Sequence, residues 1–298
     1  MPRTPLFSEP LRPEEGYQAS AQQILAYQQR VGSLNFAAAI SRPDIAHATS
    51  KLACFLRNPS KGHLIAADRT LQYLCSTRGY AIEFSGENAA QIFKCASDAA
   101  YADDAETRRS SDGFLFQLYG GAIDWKAGRQ KTVTTSSTEA ELLSLSTAAK
   151  EVIWWRRFFA AVKFDTQQAT EIHCDNLQTI RILTKETVKL ETRLRHVDIH
   201  QHWLRQEVED GTVTIKWLPT AQMPADGLTK ALPAQKHATF IEQLNLVDIS
   251  KRLGAEKEGN GNDNNNNAGG EVNRRTRVRH YDEEGEEDGG RFAYLGDF

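Results

Sequence analysis

The hydrophobic and polar positions of this 298-residue chain change their spacing near residue 81. Between residues 23 and 78, apolar side chains recur every three or four positions, as in amphipathic helices. From residue 81 onward the apolar runs become short and are bounded by turn-forming residues, which is typical of strands. The pattern therefore predicts a helical part followed by a part that contains a sheet.

Strands and helices alternate in the second part. Three short strands come first, and the Gly-Gly pair at residues 120 and 121 fits a hairpin. A long amphipathic helix follows, with one stripe formed by Leu142, Leu145, Ala149 and Val152. A strand, two helices, a strand and a short helix complete the order. Because the first three strands are joined directly and the later ones through helices, we predict an α/β fold with a mixed five-stranded sheet.

Composition divides the chain into four segments. Residues 1–22 are extended, residues 23–88 are helical, residues 89–250 contain the sheet, and residues 251–298 are rich in Asn, Gly and charge. We expect the last segment to be disordered, because it offers too little apolar surface to offset the entropy of ordering. Residues 254–298 hold 11 acidic and 6 basic side chains of the 39 and 36 in the chain. The remainder, with 28 acidic and 30 basic side chains, can therefore contact a phosphate backbone.

Other features exclude several classes of protein. No run of about 18 apolar residues would span a membrane, and the start of the chain lacks the apolar region of a secretion signal. We therefore expect an intracellular protein that does not bind membranes. The four cysteines are dispersed, without a Cys-x-x-Cys pair, and we expect reduced and mostly buried thiols rather than a zinc site or disulfides.

Four acidic residues lie at the predicted ends of elements. Asp98 closes the first strand of the sheet, Glu141 lies in the first turn of the long helix, Asp175 closes the fourth strand, and Asp226 begins or precedes the last helix. Adjacent central strands would bring Asp98 and Asp175 side by side. Carboxylate oxygens suit Mg²⁺, and two ions about 3.5–4 Å apart could activate water and stabilise the leaving oxygen in phosphodiester hydrolysis.

Each acid also has a structural alternative. Glu141 could complete a capping box with Thr138, and Glu139 could complete one with Ser136. The remaining acids could be ordinary N-cap or turn residues. The catalytic interpretation therefore depends on the joint occurrence of all four acids in this order of elements.

Several long motifs resemble one known family. The stretches "SDAAYADD", "RRSSDGFLF", "GGAIDWKAGRQKTVTTSSTEAELLSLSTAAKE", "HCDN", "RHVDIHQHWLRQEVEDG" and "LPTAQMPADGLTK" are similar to the ribonuclease H domain of copia-type retrotransposon Pol polyproteins. Upstream, "SRPDIAHATSKLACFLRNPSKGHLIAADRTLQYL" resembles the connection segment of the reverse transcriptase in these elements. The resemblance covers about residues 4–245 and implies a connection-like segment at 23–88 and a ribonuclease H-like domain at 89–250.

The resemblance also implies a function. It matches Asp98, Glu141, Asp175 and Asp226 to the metal-binding and catalytic carboxylates of the family, with Glu141 a better match than Glu139. The implied cofactor is Mg²⁺, as two ions, with Mn²⁺ as an alternative. The implied substrate is an RNA–DNA hybrid, whose RNA strand is cut. The polymerase portion of a reverse transcriptase is an implied partner, and retrotransposon particles in the cytoplasm, or the nucleus, are the implied location.

The string "YADD" at residues 101–104 also occurs at the catalytic hairpin of reverse transcriptases. Here a charged turn, "AETRRSSDG", follows it instead of a hydrophobic strand. We therefore interpret Asp103 and Asp104 as loop acids and expect no polymerase palm in this chain. The loop before Asp226 also lacks the histidine that many cellular relatives of the family carry.

Cationic and polar side chains near the predicted site are candidates for contacts with nucleic acid. They are Arg108, Arg109, Lys126, Arg129, Gln130, Lys131, Lys189, Arg193 and Arg195. Asn176, next to Asp175, could bind a 2′-hydroxyl or cap the following helix. We expect Trp154 and Trp155 to pack in the core, and His196, His200 and His202 to be solvated or packed.

Two other functions remain open. The chain could be a catalytically silent fragment or a domesticated nucleic-acid-binding module, and hybrid binding without cleavage would indicate this. An integrase-type nuclease fits less well, because that class uses two aspartates and a later glutamate. The acids here run Asp98, Glu141, Asp175 and Asp226.

Overall fold

The computed structural model describes residues 2–7, 9–85, 92–166, 170–184 and 195–253. The helices are α1 Ala21–Ile40, α2 Ala46–Ala53, α3 Lys61–Ser76, α4 Ser137–Ala161, α5 Leu177–Thr184, α6 Arg195–Glu209, α7 Asp226–Thr229 and α8 Ala234–Gln243. The strands are β1 Tyr80–Ile82, β2 Phe93–Ala100, β3 Ser111–Leu118, β4 Gly121–Arg129, β5 Glu171–Cys174, β6 Thr214–Trp217 and β7 Leu246–Asp248. Contacts divide the chain into Met1–Gly254 and Ala255–Phe298. Of the disordered tail predicted at residues 251–298, residues 251–253 are helical, and residues 254–298 lie outside the described residues.

The main sheet has the strand order β4-β3-β2-β5-β6. The pairs β2–β3 and β3–β4 are antiparallel, whereas β2–β5 and β5–β6 are parallel. The expected α/β fold with a mixed five-stranded sheet is therefore confirmed. The parallel pairs follow from the helical connections, because a strand can return in the same direction only after a crossover.

Helix α4 covers one face of this sheet. The predicted stripe of Leu142, Leu145, Ala149 and Val152 is fully buried and packs with apolar side chains of β2, β3 and β5. Trp155 packs against the same core and donates a hydrogen bond to Asp124 Oδ2 at 3.2 Å. The same prediction was wrong for Trp154, which is 54% exposed and stacks on Phe158. Trp154 directly precedes Trp155 along the helix, so its side chain points about 100° away from that of Trp155.

The hairpin between β3 and β4 turns one residue earlier than the Gly-Gly pair predicts. Tyr119 and Gly120 are the two central residues, and both have positive φ angles, of 49° and 80°. Gly121 instead begins β4 and pairs with Leu118. A Cβ atom at Gly121 would lie 2.6 Å from the ring of Phe84, so this glycine allows close packing.

The N-terminal helices form a second cluster. Helix α1 begins with a capping box, in which the Ser20 side chain accepts from the Gln23 N–H and the Gln23 side chain accepts from the Ser20 N–H. Apolar side chains of α1, α2 and α3 pack together. Within Met1–Gly254 this cluster contacts the sheet-containing part through α2.

A buried polar network also joins these two parts. Arg42 binds Asp44 through two hydrogen bonds of 2.8 and 2.7 Å, and Tyr73 donates to Asp44 Oδ2 at 2.7 Å. His237 of α8 lies 3.0 Å from the Tyr73 hydroxyl. Each charged group here therefore has a partner, as buried polar groups require.

Two small elements were not expected from the sequence. Helix α8 and strand β7 follow α7, and β7 pairs antiparallel with β1 in a separate two-stranded sheet. Two of the four free cysteines, Cys54 and Cys75, are exposed, so the expectation of mostly buried thiols held only for Cys95 and Cys174. In the described part of the chain no helix is long and apolar enough to cross a membrane.

Candidate active site

Asp98 lies inside β2, two residues before its end, rather than closing the strand as predicted. It is 1% exposed and lies opposite Gly113 of β3. A Cβ atom at Gly113 would lie 2.8 Å from the Leu228 Cβ atom, so the glycine lets α7 approach the sheet closely. As a result the hydroxyl of Thr229 donates a hydrogen bond to Asp98 Oδ2.

Two further carboxylates approach Asp98 from neighbouring elements. Asp175 directly follows β5, which pairs with β2, and Asp226 is the first residue of α7. One carboxylate oxygen from each of Asp98, Asp175 and Asp226 lies within 4.8 Å of the other two. Oxygen ligands at this separation could hold a hard cation such as Mg²⁺.

Glu141 lies beside this group of three. It is in the second turn of α4, not the first as predicted, and it is 6% exposed. Burial and the neighbouring charges of Asp98 and Asp175 raise its pKa to about 9. Its Oε2 atom is buried and has no hydrogen-bond partner. Such an orphaned oxygen is costly in a closed protein interior and is a suitable ligand for a cation. The chemistry of Asp98, Asp175 and Asp226, with Glu141 beside them, therefore fits a divalent ion.

Glu139 has a structural role instead. Its N–H donates to the Ser136 hydroxyl at 3.2 Å, which caps α4. Its Oε2 atom accepts hydrogen bonds from the N–H and hydroxyl of Thr135, at 2.6 and 2.8 Å. The side chain of Glu139 is therefore used at the start of the helix, whereas Glu141 lies next to the other carboxylates.

Lys230 was not among the predicted site residues, although it lies in the quoted motif. Its Nζ atom is 2.7 Å from Asp226 Oδ1 and 3.3 Å from Asp98 Oδ2. Burial raises the pKa of Asp98, Lys230 acts in the opposite direction, and Asp226 adds to the rise. The position of Lys230, four residues after an acid that begins a helix, was the signal in the sequence for this ion pair.

Two hydroxyl groups bind the carboxylates. The Thr229 hydroxyl is the partner of Asp98, and the Thr220 hydroxyl donates to Asp175 Oδ2 at 2.8 Å. Ser144 of α4 donates to the backbone carbonyl of Asp98 at 2.8 Å. None of these residues was predicted, because a single hydroxyl has no characteristic spacing in the sequence.

The predicted nucleic-acid contacts have different environments. Gln130 is buried, and its Nε2 atom donates to the Ala140 carbonyl at 2.8 Å, so it joins the end of β4 to α4 rather than facing solvent. Arg108 and Lys131 are exposed, and Arg109 is half-buried. Asn176 Oδ1 accepts from the Thr179 N–H at 3.0 Å, which caps α5.

Three of the predicted cationic contacts fall outside the part of the chain that the structure describes. Lys189, Arg193 and the side chain of Arg195 lie outside the described residues. The assignment of nucleic-acid contacts therefore stays a prediction. Of the histidines, His200 Nδ1 lies 2.8 Å from the Ser146 hydroxyl and is packed, whereas the side chain of His202 is 65% exposed.

The two aspartates of "YADD" lie in the loop 101–110 between β2 and β3, and both have cationic partners. Asp103 Oδ2 is 2.6 Å from Lys51 Nζ. Asp104 Oδ1 accepts from the Thr107 N–H, and its Oδ2 atom pairs with Arg129. Hydrogen bonds and this ion pair outweigh the effect of burial and lower the pKa of Asp104 to about 2. Both residues are therefore loop acids that form ion pairs, as expected.

The chain is similar in sequence to several known proteins. No protein-family model matches the chain. The chain is 39% identical over 210 residues to the Retrovirus-related Pol polyprotein from transposon TNT 1-94 of Nicotiana tabacum, which is 70% of this chain and 15% of that protein. It is 41% identical over 128 residues to Secreted RxLR effector protein 161 of Plasmopara viticola, which is 43% of this chain and 89% of that protein.

A solved structure is also similar. RNase H1 from the halophilic archaeon Halobacterium salinarum NRC-1 matches 46% of this chain and 92% of its own, with 18% identity and a TM-score of 0.33. The fold assignment rests on the strand order and not on this low score. The chain spans only a small part of the tobacco polyprotein. With the matching copia-type motifs, that relationship identifies the chain as a member of the retrotransposon Pol polyprotein family.

Proposed function

We propose that the chain is the ribonuclease H part of a copia-type reverse transcriptase and hydrolyses the RNA strand of an RNA–DNA hybrid with Mg²⁺ as cofactor. The observation that carries the proposal is the group of Asp98, Asp175 and Asp226, whose oxygens lie within 4.8 Å of one another. The orphaned, buried Oε2 atom of Glu141 beside them supports it. The choice of an RNA–DNA hybrid as substrate comes from the resemblance of the sequence motifs to copia-type ribonuclease H domains.

Each residue has a defined task in this proposal. Asp98, Glu141, Asp175 and Asp226 would hold the cation, and Thr229 and Thr220 orient two of these carboxylates through hydrogen bonds. Bound Mg²⁺ would supply a water of lowered pKa and stabilise charge on the phosphate. Glu141 holds a proton near neutral pH in the metal-free chain and would release it to solvent as it becomes a ligand.

The hybrid would be held mainly through its phosphates. Arg108 is exposed on the loop 101–110, and Lys131 is exposed directly after Gln130. Their positive charges suit contacts with the phosphate backbone of a nucleic acid. Asn176 follows the ligand Asp175, and its amide N–H₂ group could donate to a 2′-hydroxyl while Oδ1 caps α5. Contacts of this type distinguish RNA from DNA.

A polymerase portion would be the natural partner. The chain spans 15% of the tobacco Pol polyprotein, and residues 23–88 resemble a connection segment. We therefore expect the chain to act together with a polymerase that makes the hybrid. The proposed activity does not require that partner, because the four acids belong to this chain.

A cleavage assay tests the proposal. Three duplexes of one sequence, RNA–DNA, RNA–RNA and DNA–DNA, would each carry a label on one strand and be incubated with the full chain in Mg²⁺ or in EDTA. We expect cleavage of the RNA strand of the hybrid, only with Mg²⁺, and none by Asp175→Asn. Binding of the hybrid without cleavage in either Mg²⁺ or Mn²⁺ would instead indicate a silent nucleic-acid-binding module.

A further inference from the structure

Lys230 places a fixed positive charge on one side of the carboxylate group. Its ammonium contacts both Asp226, at 2.7 Å, and Asp98, at 3.3 Å. Asp98 is almost completely buried, and the Lys230 side chain is 40% exposed. One ammonium therefore balances part of the charge that these two aspartates carry.

The position of Lys230 is built into the fold. The backbone N–H of Lys230 donates to the Asp226 carbonyl at 3.0 Å, closing the single turn of α7. The preceding Thr229 is 1% exposed and binds Asp98, and Leu228 is fully buried. With α7 packed against Gly113 of β3, the lysine side chain leaves the helix directly beside the two aspartates.

Among the described residues, no lysine or arginine forms an ion pair with Glu141 or Asp175 on the other side of the group. Glu141 Oε2 is buried without a hydrogen-bond partner. Asp175 is bound by the Thr220 hydroxyl, which carries no charge. The two sides of the group therefore differ. The Lys230 ammonium already lies beside Asp98 and Asp226, whereas the Glu141 Oε2 atom has no partner.

We propose that the Lys230 ammonium is a built-in counter-ion of Asp98 and Asp226 that limits tight divalent-cation binding by the carboxylate group to one ion per chain. A second ion must displace the ammonium and therefore binds weakly. This inference rests on the proposed function, because it requires that the carboxylates bind a divalent cation.

Titration calorimetry of the full chain with Mn²⁺, repeated with Mg²⁺, tests the inference without using activity. The wild-type chain is expected to take up one tight ion. Lys230→Met is expected to take up two, or to bind the first at least tenfold more tightly, and Lys230→Arg is expected to resemble the wild type. Lys126→Met is the matched control, because Lys126 is also 40% exposed and also pairs with a buried aspartate, Asp112, at 2.8 Å.

A second readout covers the metal-free state. Without metal, Lys230→Met leaves Asp98 and Asp226 uncompensated, so its Tm is expected to fall below that of the wild type and to rise more steeply with added Mg²⁺. Lys126→Met is expected to show the Mg²⁺ response of the wild type. This comparison also reports whether each variant is folded.

The outcomes separate the two proposals. Equal ion number and equal affinity in the wild type and Lys230→Met overturn the role of Lys230; if the wild type still cuts the hybrid with Mg²⁺, the proposed function stands. A wild-type chain that binds two ions equally tightly also overturns the inference. A wild-type chain that neither binds the ions nor cuts the hybrid overturns both.

Discussion

Lys51 of α2 and Asp103 of the loop 101–110 form an ion pair, with Nζ 2.6 Å from Oδ2. Ser111, the first residue of β3, donates its N–H to the other carboxylate oxygen at 2.7 Å. Asp103 therefore connects α2 of the helical segment to the start of β3. An acid in a string that resembles a polymerase box is used here to join two parts of the fold.

This ion pair is expected to contribute modestly to stability. Both side chains are about one quarter exposed, and partly exposed pairs contribute about 0.2–1 kcal/mol. Asp103→Asn and Lys51→Met should each lower the free energy of unfolding, and the double variant should lose less than the sum. Urea unfolding measures this coupling, and strict additivity of the two changes would contradict the pairing.

Glu141 and Glu139 should respond differently to the same substitution. Glu141→Gln is expected to stop hybrid cleavage, because an amide is a poor cation ligand, yet to leave the metal-free chain as stable as before at pH 7. Its carboxyl group is already protonated there, with a pKa of about 9. Cleavage rate and urea unfolding measure the two effects.

Glu139→Gln is the matched control for that experiment. Its remaining carbonyl oxygen can still accept the hydrogen bonds from Thr135, so cleavage is expected to continue at close to the wild-type rate. An inactive Glu139→Gln together with an active Glu141→Gln would reverse the assignment of the second acid.

His47 should make the chain sensitive to acid. It is buried in α2, and burial, with Lys51 acting in the same direction, lowers its pKa from 6.5 to about 4. Asp103 and a hydrogen bond to the Leu228 carbonyl act in the opposite direction. Between pH 6.5 and 4 the unfolded chain binds a proton here that the folded chain does not, so stability present above pH 6.5 is lost as pH falls toward 4.

The size of this effect follows from the shift, at about 1.4 kcal/mol for each pH unit, or about 3 kcal/mol in total. The free energy of unfolding in urea, measured from pH 7.5 to 4.5, is expected to fall less steeply in His47→Gln than in the wild type. An equal fall in the free energy of unfolding with pH in both chains would show that His47 does not cause the loss of stability in acid.

The sequence predicts the parts of the fold that have a regular spacing. The stripe of Leu142, Leu145, Ala149 and Val152 is buried because these positions recur at the period of a helix. The mixed sheet follows from the order of strands and crossovers. Strand β7 was missed because it has three residues and pairs with β1, which is distant in sequence.

The site was predictable only in part, for a similar reason. Asp98, Asp175 and Asp226 lie close together. Their places in β2, after β5 and at the start of α7 could be predicted from the sequence around each of them. The contacts of Thr220 and Thr229 depend on how α7 packs on Gly113. The burial of Gln130 likewise depends on α4, which begins several residues later. Such contacts between distant elements leave no periodic pattern.

Lys131 and Gln130 are neighbours with different expected effects on hybrid binding. Lys131 is exposed, so Lys131→Met should weaken binding and reduce the slope of log Kd against log salt by about one. Gln130→Ala should leave that slope unchanged but lower the free energy of unfolding by about 0.5–1.5 kcal/mol, because it removes the hydrogen bond between the Gln130 amide and the Ala140 carbonyl. Fluorescence anisotropy at several salt concentrations, with urea unfolding, separates the two. A change in the salt slope in Gln130→Ala alone would contradict this assignment.

The most direct test of the proposed activity compares aspartates from one short stretch of sequence. The wild type, Asp98→Asn and Asp103→Asn would each be incubated with Mg²⁺ and an RNA–DNA hybrid labelled on its RNA strand. Cleavage by the wild type and by Asp103→Asn, with at least a hundredfold slower cleavage by Asp98→Asn, is the expected result. Wild-type cleavage that persists unchanged in Asp98→Asn, or a wild-type chain that does not cut the hybrid at all, would contradict the account.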